Sequence, residues 1–286
     1  MQQLKFTRWR LSLLVLFSIL PSLQTMAQGN LMVMPRRAVF EGGKRLHELN
    51  LINTGQDTAR YAISLTHYRM KDDGAFEEID STAPDASFAD KYVRFFPRNV
   101  VLGPGEAQSV RIQLTQTGKL LPGEYRSHLY FRAVPNESPL GQEPAGADAG
   151  VAVRLVPVFG ISIPVIIRVG ERNTEVSLSA APLEMADPAT PLLNLSLHRK
   201  GNMSVYGNIT IEHVSPAGAV TKVGSVQGLA VYTPNLVRHV KIALANTAGV
   251  NYSRGKLRIE YKEPPEAGAA SLAQTQLPLT GNALQN

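Results

Sequence analysis

The stretch that most limits what this chain can fold into is 151–169, VAVRLVPVFGISIPVIIRV. Apolar side chains recur at 151, 153, 155, 157, 159, 161 and 163, while Ala152, Arg154, Val156, Val158, Gly160 and Ser162 between them are smaller or more polar. A period of two marks a strand with one apolar face. The run also holds Pro157 and Pro164. Each lacks the N–H that an interior ladder needs, so the run reads as an edge strand. A long apolar edge offers unpaired backbone groups to another chain.

The rest of the sequence repeats the alternation in shorter pieces. Residues 31–41 are extended, with Pro35 marking an edge or a bend. Residues 45–53 alternate and close on the turn signal Asn53-Thr54-Gly55. Tyr61, Ile63 and Leu65 alternate, as do Val110, Ile112 and Leu114 after Pro104-Gly105; Leu129 and Phe131 follow Pro122-Gly123. Each Pro-Gly supplies the fixed φ and the positive φ of a tight turn. Residues 71–89 read as a polar, acidic loop, and 136–150 as a loop by composition. After Gly170 the pattern restarts, with strands expected at 174–180, 192–198, 205–214, 238–245 and 256–261 and a last one at 273–279. Gly224 to Gly228 reads as a turn. No amphipathic helix of twelve residues or more is evident. Many short strands at this spacing imply an all-β chain of two sandwiches.

The N-terminus follows different rules. Lys5, Arg8 and Arg10 precede the apolar run 11–20, which Pro21 interrupts, and Thr25 and Ala27 are small residues at −3 and −1 of a cleavage after Ala27. That is the pattern of a secretory signal peptide over 1–27, too short for a membrane span. The expected organisation is therefore a signal peptide at 1–27, a first domain at 28–169 carrying the edge strand, and a second at 170–286. No membrane span is expected in the mature chain.

Composition removes several function classes. There is no cysteine, which excludes thiolate metal sites, cysteine nucleophiles and disulfides. The six histidines show no metal-ligand spacing, and no cofactor is expected. The net charge of +6 is not gathered into a patch, which argues against nucleic acid. No nucleophile elbow, phosphate loop or dinucleotide fingerprint is present, and the acidic pairs Asp72-Asp73 and Glu77-Glu78 read as a solvated loop. The chain does not read as an enzyme.

Several segments, in this order and spacing, resemble the periplasmic pilus-assembly chaperones of the chaperone–usher pathway, in a divergent, archaic-like form. They are Arg37-Ala38-Val39-Phe40, Asn50-Leu51-Ile52-Asn53, Leu102-Gly103-Pro104-Gly105-Glu106, Tyr125-Arg126-Ser127 leading to Phe131-Arg132-Ala133-Val134-Pro135, and the closing segment IPVIIR at 163–168. The resemblance implies two immunoglobulin-like β-sandwich domains joined at an angle, with a cleft between them. It implies a periplasmic, non-enzymatic chaperone that binds pilus or fimbrial subunits by donor-strand complementation and passes them to an outer-membrane usher. On this reading Val153, Leu155, Pro157, Phe159 and Ile161 are the donor side chains. Arg37 matches the cleft arginine that holds the subunit's C-terminal carboxylate, and Ser162 stands where the family has a lysine. Either Arg37 anchors alone, or Arg111 or Arg154 substitutes, or the carboxylate is held elsewhere. A free chaperone capping its donor strand by self-dimerisation fits the same exposed edge. The alternative is a structural or adhesive exported protein whose edge strand is covered internally by the tail at 271–279.

Overall fold

The computed structural model describes residues 31–83, 87–135, 158–184 and 190–279. The signal-peptide expectation and residues Val153, Leu155 and Pro157 lie outside them. Among the described residues there are strands and short 3-10 turns but no α-helix.

The first sandwich is built from β1 (Leu31–Met34), β2 (Ala38–Phe40), β3 (Leu46–Asn53), β4 (Ala59–Thr66), β7 (Val93–Phe96), β8 (Asn99–Leu102), β9 (Ala107–Leu114), β10 (Gly123–Val134) and β11 (Gly160–Val169). One sheet runs β1-β3-β9-β7 and the other β2-β11-β10-β4-β8. The extended stretch 31–41 is thus two strands in different sheets, with the bend at Pro35 carrying the chain across. Side chains that alternate along each strand meet between the sheets, where Phe40, Leu49, Leu51, Ile112, Leu129 and Phe131 are fully buried. Asn53 is buried at the end of β3. Its Nδ2 donates to the carbonyls of Asp57, Leu102 and Gly103 at 2.7, 3.0 and 3.2 Å, so the turn signal doubles as a pin between two connections.

The second sandwich comprises β12 (Thr174–Ala180), β13 (Leu192–Gly201), β14 (Val205–Val214), β15 (Val220–Val231), β16 (Val237–Ala243), β17 (Lys256–Lys262) and β18 (Ser271–Pro278). Its sheets are β12-β13-β16 and β15-β14-β17-β18. The core centres on Leu193, Leu195, Ile209, Ile211, Ile259 and Tyr261, whose hydroxyl donates to the Leu229 carbonyl at 2.8 Å. The architecture is all-β with two sandwiches, as the alternation implies.

Two expectations need correction. The turn expected at Gly224 to Gly228 is interior to β15. Gly224 is there because a Cβ would press within 3.1 Å of Ile211 and 3.2 Å of Leu244; Gly228 takes φ +70° beside the Tyr206 hydroxyl. Close approach, not chain reversal, selected these glycines. The acidic loop expected at 71–89 contains half of a hairpin, β5 (Tyr68–Met70) with β6 (Phe76–Glu78). Only its tip, Lys71 to Ala75, is loop, closed by the Lys71 N–H to the Ala75 carbonyl at 2.7 Å.

Candidate partner-binding cleft

The two sandwiches touch through a small apolar cluster of Met70, Ile166, Ala230 and Tyr232, with Val39 and Tyr206 packed against it. A buried ion pair sits beside it. Glu124, at the start of β10, accepts from Arg168 Nε at 3.1 Å and, across the boundary, from the Ser204 N–H at 3.0 Å and its hydroxyl at 2.7 Å. Arg168 in turn donates to the Ser204 carbonyl at 2.9 Å. The β5–β6 hairpin adds a strut: the Asp72 carbonyl accepts from the His239 N–H at 2.6 Å, and the Asp72 carboxylate from Asn235 Nδ2 at 3.0 Å.

Between these contacts lies a cavity of about 350 Å³. Arg37 and Ser162, the two anchor residues expected from the sequence, both line it, as does Pro164 of β11. The Arg37 guanidinium lies 4.0 Å over the Tyr206 ring. Its Nε is buried without a hydrogen-bond partner. Burial lowers the Arg37 pKa from its ordinary value, with nearby Arg168 adding to the effect. A guanidinium in this state is a cation short of an anion, and its planar fork suits a carboxylate. Ser162 is exposed and paired opposite Tyr130. It offers a hydroxyl and no charge.

The substitutes considered for a second cation resolve differently. Arg111 sits on β9 in the other sheet, where it donates to Glu48 at 2.8 Å, so it takes no part in the cleft. Arg154 lies outside the described residues. A further buried arginine at the boundary, Arg126, was not singled out from the sequence; it lines a separate cavity with Glu124 and Thr233. It is buried on β10, lies 4.2 Å over the Tyr232 ring, and donates through Nη2 to the carbonyls of Tyr68 and Thr233. Its Nη1 has no partner. The alternation that buries Leu129 and Phe131 puts Arg126 on the opposite face of β10, which only the second sandwich covers, so no local signal marked it.

The edge strand shows what it can offer. β11 pairs with β10 along its length, but β2 covers its other side only at Val165, Ile166 and Ile167. Among the described residues, the outer edge from Gly160 to Pro164 has no neighbouring strand. Phe159 and Val158, just before it, are 53% and 45% exposed. Ile161 is half-buried against the first core and Ile163 is buried in it. The tail that the alternative reading would place over this edge is elsewhere: β18 pairs with β17 in the second sandwich.

One grouping invites an enzymatic reading. The Ser127 hydroxyl lies 3.3 Å from His67 Nδ1, and His67 Nε2 lies 3.8 Å from Asp90 Oδ2. Ser127 is wholly buried, however, and its oxygen accepts the N–H groups of Ala89 and Asp90 at 3.0 and 3.1 Å. A nucleophile needs an open approach and a free lone pair. This serine ties a turn to the sheet.

No family model matches the chain, and no curated protein matches it. Solved structures similar to it include the YadV chaperone, with 11% identity over 87% of this chain and 100% of that one and a TM-score of 0.44. The Pseudomonas aeruginosa CupB2 chaperone aligns at 12% identity over 87% and 100%, with a TM-score of 0.42. The E. coli chaperone DraB aligns at 14% identity over 87% and 96%, with a TM-score of 0.41. At these values the likeness assigns neither a family nor a function to the chain.

Proposed function

We propose that this chain is a periplasmic chaperone for pilus or fimbrial subunits, with a first domain at 28–169 and a second at 170–286. The observation that carries the reading is a juxtaposition: the uncovered edge of β11 runs into the cavity where Arg37 holds an unpartnered, buried Nε. An incomplete β-rich subunit adds a strand along Gly160 to Pro164 and beyond toward the N-terminus of the run. Its chain end places a carboxylate on Arg37. Main-chain bonds supply affinity, and alternate side chains, Phe159 first among those described, supply register. No covalent chemistry is required. Delivery of the subunit to an outer-membrane usher, and self-capping of the free edge by a second copy, belong to the same reading.

Native mass spectrometry of the protein taken gently from its own periplasm tests it. The expected species is a one-to-one complex with a fimbrial subunit, lost or weakened at least about tenfold in Arg37→Ala, since a charge-assisted bidentate contact is worth roughly 1.5–3 kcal/mol. A bare monomer from cells that are assembling pili overturns the reading.

A further inference from the structure

The cleft cavity has more apparatus than a carboxylate needs. Lining it together with Arg37 are three rings in mutual edge-to-face contact: Tyr68 and His128 at 5.2 Å and 79°, Phe76 and His128 at 5.7 Å and 72°, Tyr68 and Phe76 at 6.2 Å and 70°. Tyr232 lies a further 6.2 Å from Phe76. Phe76 is 48% exposed although its hairpin is packed into the cleft, so a large apolar surface faces the cavity uncovered. His128 is only 4% exposed, yet its Nδ1 has no hydrogen-bond partner. Burial and the neighbouring Arg126 push its pKa down to about 3, so the imidazole is neutral and adds a polar nitrogen but no positive charge to those of Arg36 and Arg37. A cavity of about 350 Å³ is near the small end of the ~300–1,000 Å³ typical of ligand sites. That suits a single residue and not a length of extended chain.

We propose that this cavity takes the whole C-terminal residue of the partner chain and selects an aromatic one, its carboxylate on Arg37 and its ring among Tyr68, Phe76 and His128. Charge complementarity fixes one end of the residue. Ring edges and faces set at 4.5–7 Å, the spacing aromatic pairs prefer, receive the other. The inference rests on Arg37 as the carboxylate anchor and adds the side chain that accompanies it.

Four short peptides separate the two claims: acetyl-Gly-Gly-Phe and acetyl-Gly-Gly-Ala, each as the free acid and as the amide, titrated by ligand-observed NMR against the full chain. The phenylalanine acid is expected to bind about tenfold more tightly than the alanine acid, the upper end of what an aromatic contact adds. Phe76→Ala, a substitution at a half-exposed site, is expected to bring it down to the alanine level. Equal affinity for the two acids, or a phenylalanine preference that survives Phe76→Ala, overturns the aromatic site; if both acids still outbind their amides, the Arg37 anchor stands. A phenylalanine preference without any acid-over-amide preference overturns the anchor half of the proposal. No binding of any of the four at millimolar concentration overturns it altogether.

Discussion

Glu124 is the residue whose loss most directly tests what holds the cleft in shape. Its side chain has no exposure, and it is the acceptor at a junction where Arg168, from the same sandwich, meets Ser204 and Thr233 from the other. Glu124→Ala strips Arg168 of its buried partner. Removing one member of a buried pair costs about 3–5 kcal/mol, because the other charge is left desolvated. Arg168 retains two contacts, Glu41 at 3.3 Å and the Ser204 carbonyl at 2.9 Å, and Glu41 is half-exposed. The lower end, about 3 kcal/mol, is therefore expected. Adding up four hydrogen bonds to a charged acceptor at about 1.5–3 kcal/mol each would overshoot. The freed Ser204 and Thr233 groups regain water once the carboxylate is gone. Urea unfolding followed by far-UV circular dichroism measures the loss. Small-angle scattering should show the variant expanding, because three of the four bonds lost are between the sandwiches while the two cores are untouched. A loss below about 1 kcal/mol with unchanged dimensions would refute the reasoning. The apolar cluster around Tyr232 and the β5–β6 strut would then suffice to fix the cleft.

Phe159→Asp is expected to leave stability within about 0.5 kcal/mol, because the side chain is 53% exposed, while abolishing the subunit complex in native mass spectrometry; an unfolded variant would make Phe159 an ordinary core residue. His128 should shape the acid limb of stability. Its folded pKa of about 3 lies below the ordinary 6.5, so between those pH values the unfolded chain takes up a proton that the folded one refuses, and stability falls as pH falls. At pH 5 the cost is about 2 kcal/mol at 1.36 kcal/mol per unit, and His128→Phe should flatten the limb by that amount in urea midpoints measured from pH 7 to 4.5; an unchanged limb would assign it to other groups.

The sandwiches were legible because alternation is local: Thr174–Ala180 and Val205–Val214 have the bounds that hydrophobic periodicity suggests. β15 was not, because Gly224 and Gly228 look like turn residues unless Ile211, Leu244 and Tyr206 are known to lie beside them. The β5–β6 hairpin was hidden for a related reason. Phe76 is the one apolar residue of an acidic strand, and what stabilises the segment is contact with the second sandwich at Asp72, which no local pattern encodes. Arg37 and Ser162 were found through family resemblance, and the fold brings them to one cavity. Tyr206 and Tyr232, which complete that cavity from the second sandwich, could not be assigned to it before the two units were placed together. Arg126 was missed because it lies on the face of β10 opposite Leu129 and Phe131, and what buries it is Tyr232 and Thr233 of the second sandwich.

The prolines that first marked the edge strand acquire a further use once β11 is seen in its sheet. The Ala133 N–H donates to the Phe159 carbonyl at 2.9 Å, one step beyond the Arg132–Gly160 pair that ends the register. In an antiparallel ladder, bonded pairs alternate, so Ile161 and Ile163 also turn their backbone groups toward β10. Gly160, Ser162 and Pro164 turn theirs outward. Among the described residues, the edge from Gly160 to Pro164 thus offers three carbonyls but only two N–H groups, and the missing donor is that of Pro164, which lines the cavity. Immediately after it, β2 takes over the edge at Val165. On the proposed function, an added strand would run out of donors, and then out of edge, at the place where Arg37 would receive a chain end. Stop and hook would then coincide and fix the register twice over. Pro164→Ala would restore the outward donor without touching a bond to β10. The ladder in the complex is then expected to lengthen by one rung, read as a slowly exchanging amide at position 164 that is fast-exchanging in the free protein. An amide at 164 that exchanges equally fast in both would show that the added strand ends before the cavity, and would separate the edge from the anchor.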